Sequence, residues 1–338
     1  MHEQTDQQDA ATQIGEHERT IDRLVTMYGE AGIHKSADDW RVVMRAGGDR
    51  PINLVNLLAL ADEAAAPDRG SGADAYDRYT TDVAPLFGRV GGRLVAGGSV
   101  AHSFGLDPGD RPDRVVVSHY PSATALADLW LDPDHEPAHH HRVAALRSSR
   151  VLLVPGQLPP RPPRSSDGPD GTGTSHDDRA TAATIDRLVD LHGEGGMCPT
   201  AADWWRIFDL GADRPVTIVN LLGHEPTVRT PDGDVSGADA YRAYSAGIAG
   251  AFRRVGGRLL LSGHVRHAWG SDDAVTSGDA RPGTPSGDDH HAIDAVVVTR
   301  YPSASALAAM WLDDEFVAAH RHRVAGVRRS DVHLLAAV

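Results

Sequence analysis

The 338-residue chain is 41% hydrophobic, enough for two ordinary domains that each bury a core. Its formal charge of −14, with arginines scattered instead of clustered, excludes a nucleic-acid partner. The absence of any run near the roughly 20 apolar residues of a bilayer span, the polar and acidic start MHEQTDQQDAATQIGEHERT and the single cysteine, Cys198, predict a cytoplasmic protein with no membrane partner, no disulfide and no thiolate metal cluster.

Residues 1–17 lack apolar patterning and are expected to be a disordered tail. A helical stretch over about 19–46 carries Trp40, which is expected to pack it onto the first module. The run INLVNLLAL (52–60), after a proline and before a turn-rich stretch, reads as a buried strand. Ala75, Tyr76, Tyr79, Val83, Leu86, Phe87 and Val90 then recur at helical spacing, and Gly91-Gly92 supplies the stop. GRLVAGGSVAHSF (92–104) alternates as a second strand, with Val100, His102 and Phe104 on one face if no bulge intervenes. DRVVVSHY (113–120) is the third strand, and Tyr120-Pro121-Ser122 ends it and opens a helix bearing Leu126 and Trp130. Residues 135–147 resume the helix and VLLVP (151–155) is a fourth strand. The order is β-α-β-β-α-β, the split ferredoxin-like unit.

The whole plan then returns. TIDRLV at 20–25 recurs at 184–189, Asp39 and Trp40 fall on Asp203 and Trp204, and 55–58 falls on 219–222 without a gap. From Ser71 to Leu94, 15 of 24 positions match 236–259, and 14 of 21 match between 113–133 and 294–314. A unit this long is a complete domain, not a solenoid repeat. The expected organisation is therefore a first module over 18–154, a disordered Pro/Gly-rich linker over 155–181 and a second module over 182–338, the second with insertions at 224–235 and 271–291. The fold class is α+β.

These residues resemble a known group, the dimeric α+β barrel superfamily, and within it the small DUF1330 domains. The resemblance is carried by VNLL (55–58), GADAYDRY (72–79), GGRLV (91–95), the Tyr120-Pro121-Ser122 strand exit and His141-Arg142, each with a counterpart in the second copy. It implies that two such modules pair as an intrachain pseudo-dimeric barrel, with further homo-oligomerisation open. It also implies a pocket between sheet and helices within each module. Other branches of the superfamily include cofactor-independent monooxygenases, polyketide cyclases, lactone isomerases and haem-binding enzymes, so fold alone selects no chemistry.

Candidate catalytic groups are the strand histidines His102 and His267, the extra His264, and Tyr79 and Tyr244. An imidazole on an apolar face is either a general base or a core histidine bonded to a carbonyl. Tyr76, Tyr79, Tyr241 and Tyr244, three apart in pairs, are either oxygen-binding phenols or core aromatics with a wet tip. Asn56 and Asn220 can bind a substrate carbonyl or tie down a loop. His139 with Arg142, and His320 with Arg323, can share a face and bind a carboxylate or phenolate; the alternative is a solvated helix end. Trp269, standing where the first copy has Phe104, is a further substrate-binding candidate, and the divergent residues together with the insertions place the working pocket in the second module. The Asp288, Asp289, His290, His291 cluster belongs to a loop that reads as a lid, and no metal site is assigned.

No phosphate-binding glycine loop and no nucleophile elbow is present in the required context. The expected function is a small-molecule enzyme of specialised metabolism that uses no cofactor and performs cyclisation, isomerisation or oxygenation of an activated carbonyl compound. A non-catalytic small-ligand-binding or scaffold protein is one alternative, and histidine-based metal or haem binding another.

Overall fold

The computed structural model describes residues 2–30, 33–105, 111–160, 178–230, 233–271 and 293–336. The first repeat supplies α1 (His2–Tyr28), α2 (Ala37–Gly47), β1 (Ile52–Leu60), α3 (Gly72–Arg89), β2 (Arg93–Phe104), β3 (Arg114–Tyr120), α4 (Ala123–Leu131), α5 (His135–Ala145) and β4 (Leu146–Pro155). The second supplies α6 (Asp178–His192), α7 (Ala201–Asp209), β5 (Val216–His224), β6 (Val228–Thr230), β7 (Gly233–Val235), α8 (Gly237–Gly247), α9 (Ala249–Arg254), β8 (Arg258–His264), β9 (His267–Ser271), β10 (Ala295–Tyr301), α10 (Ala304–Trp311), α11 (Asp314–Gly326) and β11 (Val327–Leu335). The fold is α+β with antiparallel sheets. No helix among the described residues is long and apolar enough to cross a membrane.

Two compact units emerge, and they are not the two repeats. Unit 1 consists of Met1–Val95, Pro112–Gln157 and Val265–Thr284; unit 2 consists of Ala96–Arg111, Leu158–His264 and Pro285–Val338. In unit 1 the strands run β3-β1-β4-β9. In unit 2 they run β8-β10-β5-β11-β2. Each unit thus ends its sheet with a strand taken from the other repeat: Trp269 of β9 lies opposite Val151 of β4, and Phe104 of β2 lies opposite Val332 of β11.

Local chemistry explains where the elements start. Ser36, Ser71 and Thr200 each cap a helix with an aspartate three residues on, closing reciprocal capping boxes at α2, α3 and α7. Gly91 then takes φ 72°, which lets the chain turn sharply after α3. Gly72, the first residue of α3, sits against the carbonyl oxygens of Ala61 and Ala145, and Gly237 occupies the same place against Glu225 and Gly326. A side chain at either position would collide with backbone. Trp40 and Trp204 are buried against their sheets with Ile21 and Leu24 of α1 and Ile185 and Leu188 of α6, so the leading helices are part of each core.

Three expectations need amendment or fall elsewhere. The stretch 1–17 is not a structureless tail: from His2 it is continuous with α1, because it is rich in Gln, Ala and Glu and holds no proline. The 224–235 insertion contains the β6–β7 hairpin. Of the proposed linker, 161–177 lies outside the described residues, as does the Asp288, Asp289, His290, His291 cluster with the rest of 272–292.

Candidate functional site

Each unit contains a cavity between its sheet and its helices, and the two are built to the same plan. In unit 1 a cavity of about 230 Å³ is lined by Asn56 of β1, Tyr76, Tyr79 and Phe87 of α3, Ser118 and Tyr120 of β3, Trp130 of α4 and Arg142 of α5. In unit 2 a cavity of about 450 Å³ is lined by Asn220, Tyr241, Tyr244, Tyr301, Trp311 and Arg323 from the equivalent elements. The helical spacing that puts Tyr76 and Tyr79 on one side brings their rings to 5.5 Å, and Tyr241 and Tyr244 to 5.4 Å. Burial raises all four phenol pKa values, so they are hydroxyl donors and not phenolates near neutral pH. Asn56 donates from Nδ2 to the carbonyl of Val116 at 3.2 Å, which fixes its amide and turns its oxygen elsewhere.

The last walls come from the exchanged strands. Trp269 completes the cavity of unit 1, whereas Phe104 completes that of unit 2. The Phe104-to-Trp269 difference therefore narrows the first cavity and not, as the sequence order implies, the second.

The strand histidines do not reach either cavity. His267 donates from Nε2 to Asp39 Oδ1 at 2.6 Å, and His102 donates to Asp203 Oδ1 at 2.8 Å. Those aspartates are the capping-box residues of α2 and α7. Burial would raise the Asp39 carboxyl, but the bonds from His267 and Ser36 outweigh it and hold the pKa below the usual range; Asp203 is held down in the same way by Thr200 and His102. The physical reason for the misplacement is twofold: an extra residue between Val100 and His102 bulges β2, and the strand passes the start of a helix from the opposite repeat. His264 is exposed, with its ring 6.3 Å from that of His224, and lines neither of these two cavities.

His139 and His320 are also absent from the cavity walls. They are buried among aromatic rings, His139 beside Tyr28, Trp130 and His135, and His320 stacked on Phe316. Burial drives the pKa of His320 down to about 3 and that of His139 well below its ordinary value. Neither sits at a solvated helix end. Of each His-Arg pair only the arginine faces the cavity.

Here the two units part. Arg323 donates to the Ser330 hydroxyl at 2.8 Å and to the Met197 carbonyl at 3.3 Å. Arg142 is 6% exposed and its Nη1 has no hydrogen-bond partner. A buried guanidinium nitrogen without an acceptor costs several times what an ordinary hydrogen bond contributes, and an incoming anionic oxygen would satisfy it.

Lys35 is the residue that pattern reading missed. It lies in the turn before α2 and is 4% exposed at the wall of the unit 1 cavity. Its Nζ stands 3.6 Å from the centre of the Trp130 ring, 4.4 Å from Trp40 and 5.3 Å from Trp269. Ring faces favour the ammonium, whereas removal from water disfavours it. Burial wins, and with Arg142 adding repulsion it pushes the amine well below its ordinary pKa. One signal in the sequence marks it: Lys35 is the only lysine of the chain, the other 32 of its 33 basic side chains being arginine. The equivalent position in unit 2 is Pro199.

Among the described residues no three His, Cys, Asp or Glu converge in the manner of metal ligands. The cavities offer hydroxyl, amide, guanidinium and, in unit 1, amine groups in largely apolar walls.

Both units thus define a protein of the α+β class, each an antiparallel sheet with a cavity between it and its helices. A domain family of unknown function, DUF1330, matches residues 71–157, and the chain belongs to that family. A Rhodopseudomonas palustris protein of unknown function is 32% identical over 38% of this chain and 99% of its own, with a TM-score of 0.35. A candidate monooxygenase of Lactobacillus acidophilus is 11% identical over 85% of this chain and 93% of its own, at TM-score 0.41. A chlorite dismutase variant from Candidatus Nitrospira defluvii is 10% identical over 85% and 92%, at TM-score 0.36. No curated protein matches the chain.

Proposed function

We propose that the protein is a small-molecule enzyme that takes a compact carbonyl compound bearing a carboxylate into the cavity of unit 1 and acts on it without a nucleotide cofactor. The observation that carries this reading is the unpartnered Nη1 of buried Arg142 at the wall of a largely apolar cavity. Such a group is a receptor for one anionic oxygen, while the protonated Tyr76 and Tyr79 can donate to a second oxygen on the same ligand. Unit 2 supports a different role: its arginine is already bonded and its amine is replaced by Pro199, so its larger cavity fits ligand binding without turnover.

The reading is tested with acetoacetate and benzoylacetate as probes, following the melting temperature of each unit by calorimetry and the loss of probe by NMR. A hydrogen bond to a charged group contributes about 1.5–3 kcal/mol, so Arg142→Met should weaken probe binding by about ten- to a hundredfold. Arg323→Met should leave consumption of the probe unchanged. Failure of both probes to bind or to be consumed, or an Arg142→Met variant that binds as well as the wild type, would overturn the proposal.

A further inference from the structure

We propose that Lys35 condenses with the ketone of a small β-keto acid in the unit 1 cavity and that carbon dioxide leaves through the resulting imine. The inference rests on the reading that this cavity takes a carbonyl acid, and it names the nucleophile, the substrate class and the bond broken.

Three independent observations converge. Arginine, the basic residue used everywhere else in this chain, never loses its proton in a protein and cannot form an imine; lysine can. The single lysine stands not on the surface but at the cavity wall, enclosed by Trp40, Trp130 and Trp269, where water that would keep it charged is excluded. Arg142, whose Nη1 lacks an acceptor, lines the same cavity and can hold the acid while the ketone meets the amine.

The composition of the wall selects the reaction. Among the described residues no carboxylate and no imidazole lines this cavity, so neither is placed there to remove a proton from carbon. Loss of carbon dioxide needs neither. The Nζ lone pair attacks the ketone carbon, the carbonyl oxygen departs as water, and a protonated imine remains. The bond to the carboxylate carbon then breaks, its electron pair moves into the imine to give a neutral enamine, and carbon dioxide leaves. The enamine carbon takes a proton that comes ultimately from water, and hydrolysis of the imine returns the ketone and the free amine. Tyr76 and Tyr79, which keep their protons, can donate to the departing oxygen and recover the proton during hydrolysis. The sum is a β-keto acid anion plus one proton giving a ketone and carbon dioxide, with no redox partner.

The full chain is incubated with acetoacetate and sodium cyanoborohydride, then analysed by intact mass and peptide mapping, with carbon dioxide release followed separately. The expected result is an adduct on Lys35, absent from Lys35→Met, of the probe's mass less one oxygen or, when trapped after carbon dioxide has left, of the product ketone's mass less one oxygen. Release of carbon dioxide should fall at least a hundredfold in Lys35→Met while acetoacetate still raises that variant's melting temperature, which also shows that it is folded. An adduct confined to the chain's amino terminus, or none at all in a protein whose melting temperature acetoacetate raises, overturns the imine and leaves the carbonyl-acid site standing. An adduct on Lys35 without carbon dioxide release overturns the decarboxylation. No adduct and no thermal effect with either acetoacetate or benzoylacetate overturns the imine and the site together.

Discussion

Mild acid should destabilise unit 2, and buried histidines set the size of the effect. His320 and His333 are 6% and 1% exposed, and burial lowers their pKa values to about 3 and about 4. An unfolded histidine titrates near 6.5, so below that pH the unfolded chain binds protons that the folded unit refuses, and stability falls as pH falls until the folded values are reached. Between pH 7 and pH 5 each such group removes about 2 kcal/mol, together about 4 kcal/mol, against the 5–15 kcal/mol that holds a typical domain. His224, also lowered by burial, acts in the same direction. The lowered carboxylates titrate below this window and do not blur it. At about 2–4 °C per kcal/mol the melting temperature of unit 2 should drop by roughly 8–16 °C, measurable by calorimetry at the two pH values. His320→Leu keeps the apolar packing on Phe316 and removes one titrating ring, so its loss between pH 7 and pH 5 should shrink to about 2 kcal/mol. An unchanged pH dependence in that variant would refute the argument.

Two further predictions concern the frame around the cavities. Gly72→Ala places a methyl against the carbonyls of Ala61 and Ala145 and should cost about 1–3 kcal/mol in urea titrations, whereas Gly88→Ala, in open space on the same helix, should gain up to about 1 kcal/mol. If the two alanines behave alike, the close approach at Gly72 is not what demands glycine. Asp39→Asn weakens both the capping box of α2 and the bond from His267, and should lower the stability of unit 1 by about 1–2 kcal/mol at pH 7; a double-mutant cycle with His267→Ala that gives no coupling would show the contact to be without energetic weight.

The elements were legible where a short-range rule decides them. INLVNLLAL could be read as a strand because an apolar run bounded by Pro51 and a turn has few alternatives, and it spans β1. Tyr76, Tyr79 and Arg142 were legible because three-residue spacing on a helix fixes which side chains share a side. His102 and His267 were placed on the right strands but in the wrong surroundings. Alternation tells which face a residue takes, not which helix covers that face, and here the covering helix belongs to the other repeat. Lys35 had no periodicity to betray it, since it lies in a turn, and only its uniqueness among 33 basic residues distinguishes it.

Strand exchange also changes how the divergence between the copies should be understood. A difference in the second repeat at Trp269 alters the first unit, where the indole approaches Lys35 at 5.3 Å, while the first repeat's Phe104 shapes the second cavity. Lys35, Arg142 and Trp269 thus form one group although they are scattered over both copies, and their counterparts Pro199, Arg323 and Phe104 form another. Change at a cavity wall can be tolerated when the residue serves only packing. An amine kept out of water near a guanidinium with one unpartnered nitrogen is costly to fold around, and the same scaffold demonstrates in unit 2 that it can do without both features. The cost borne in unit 1 alone is the physical reason for locating the chemistry there.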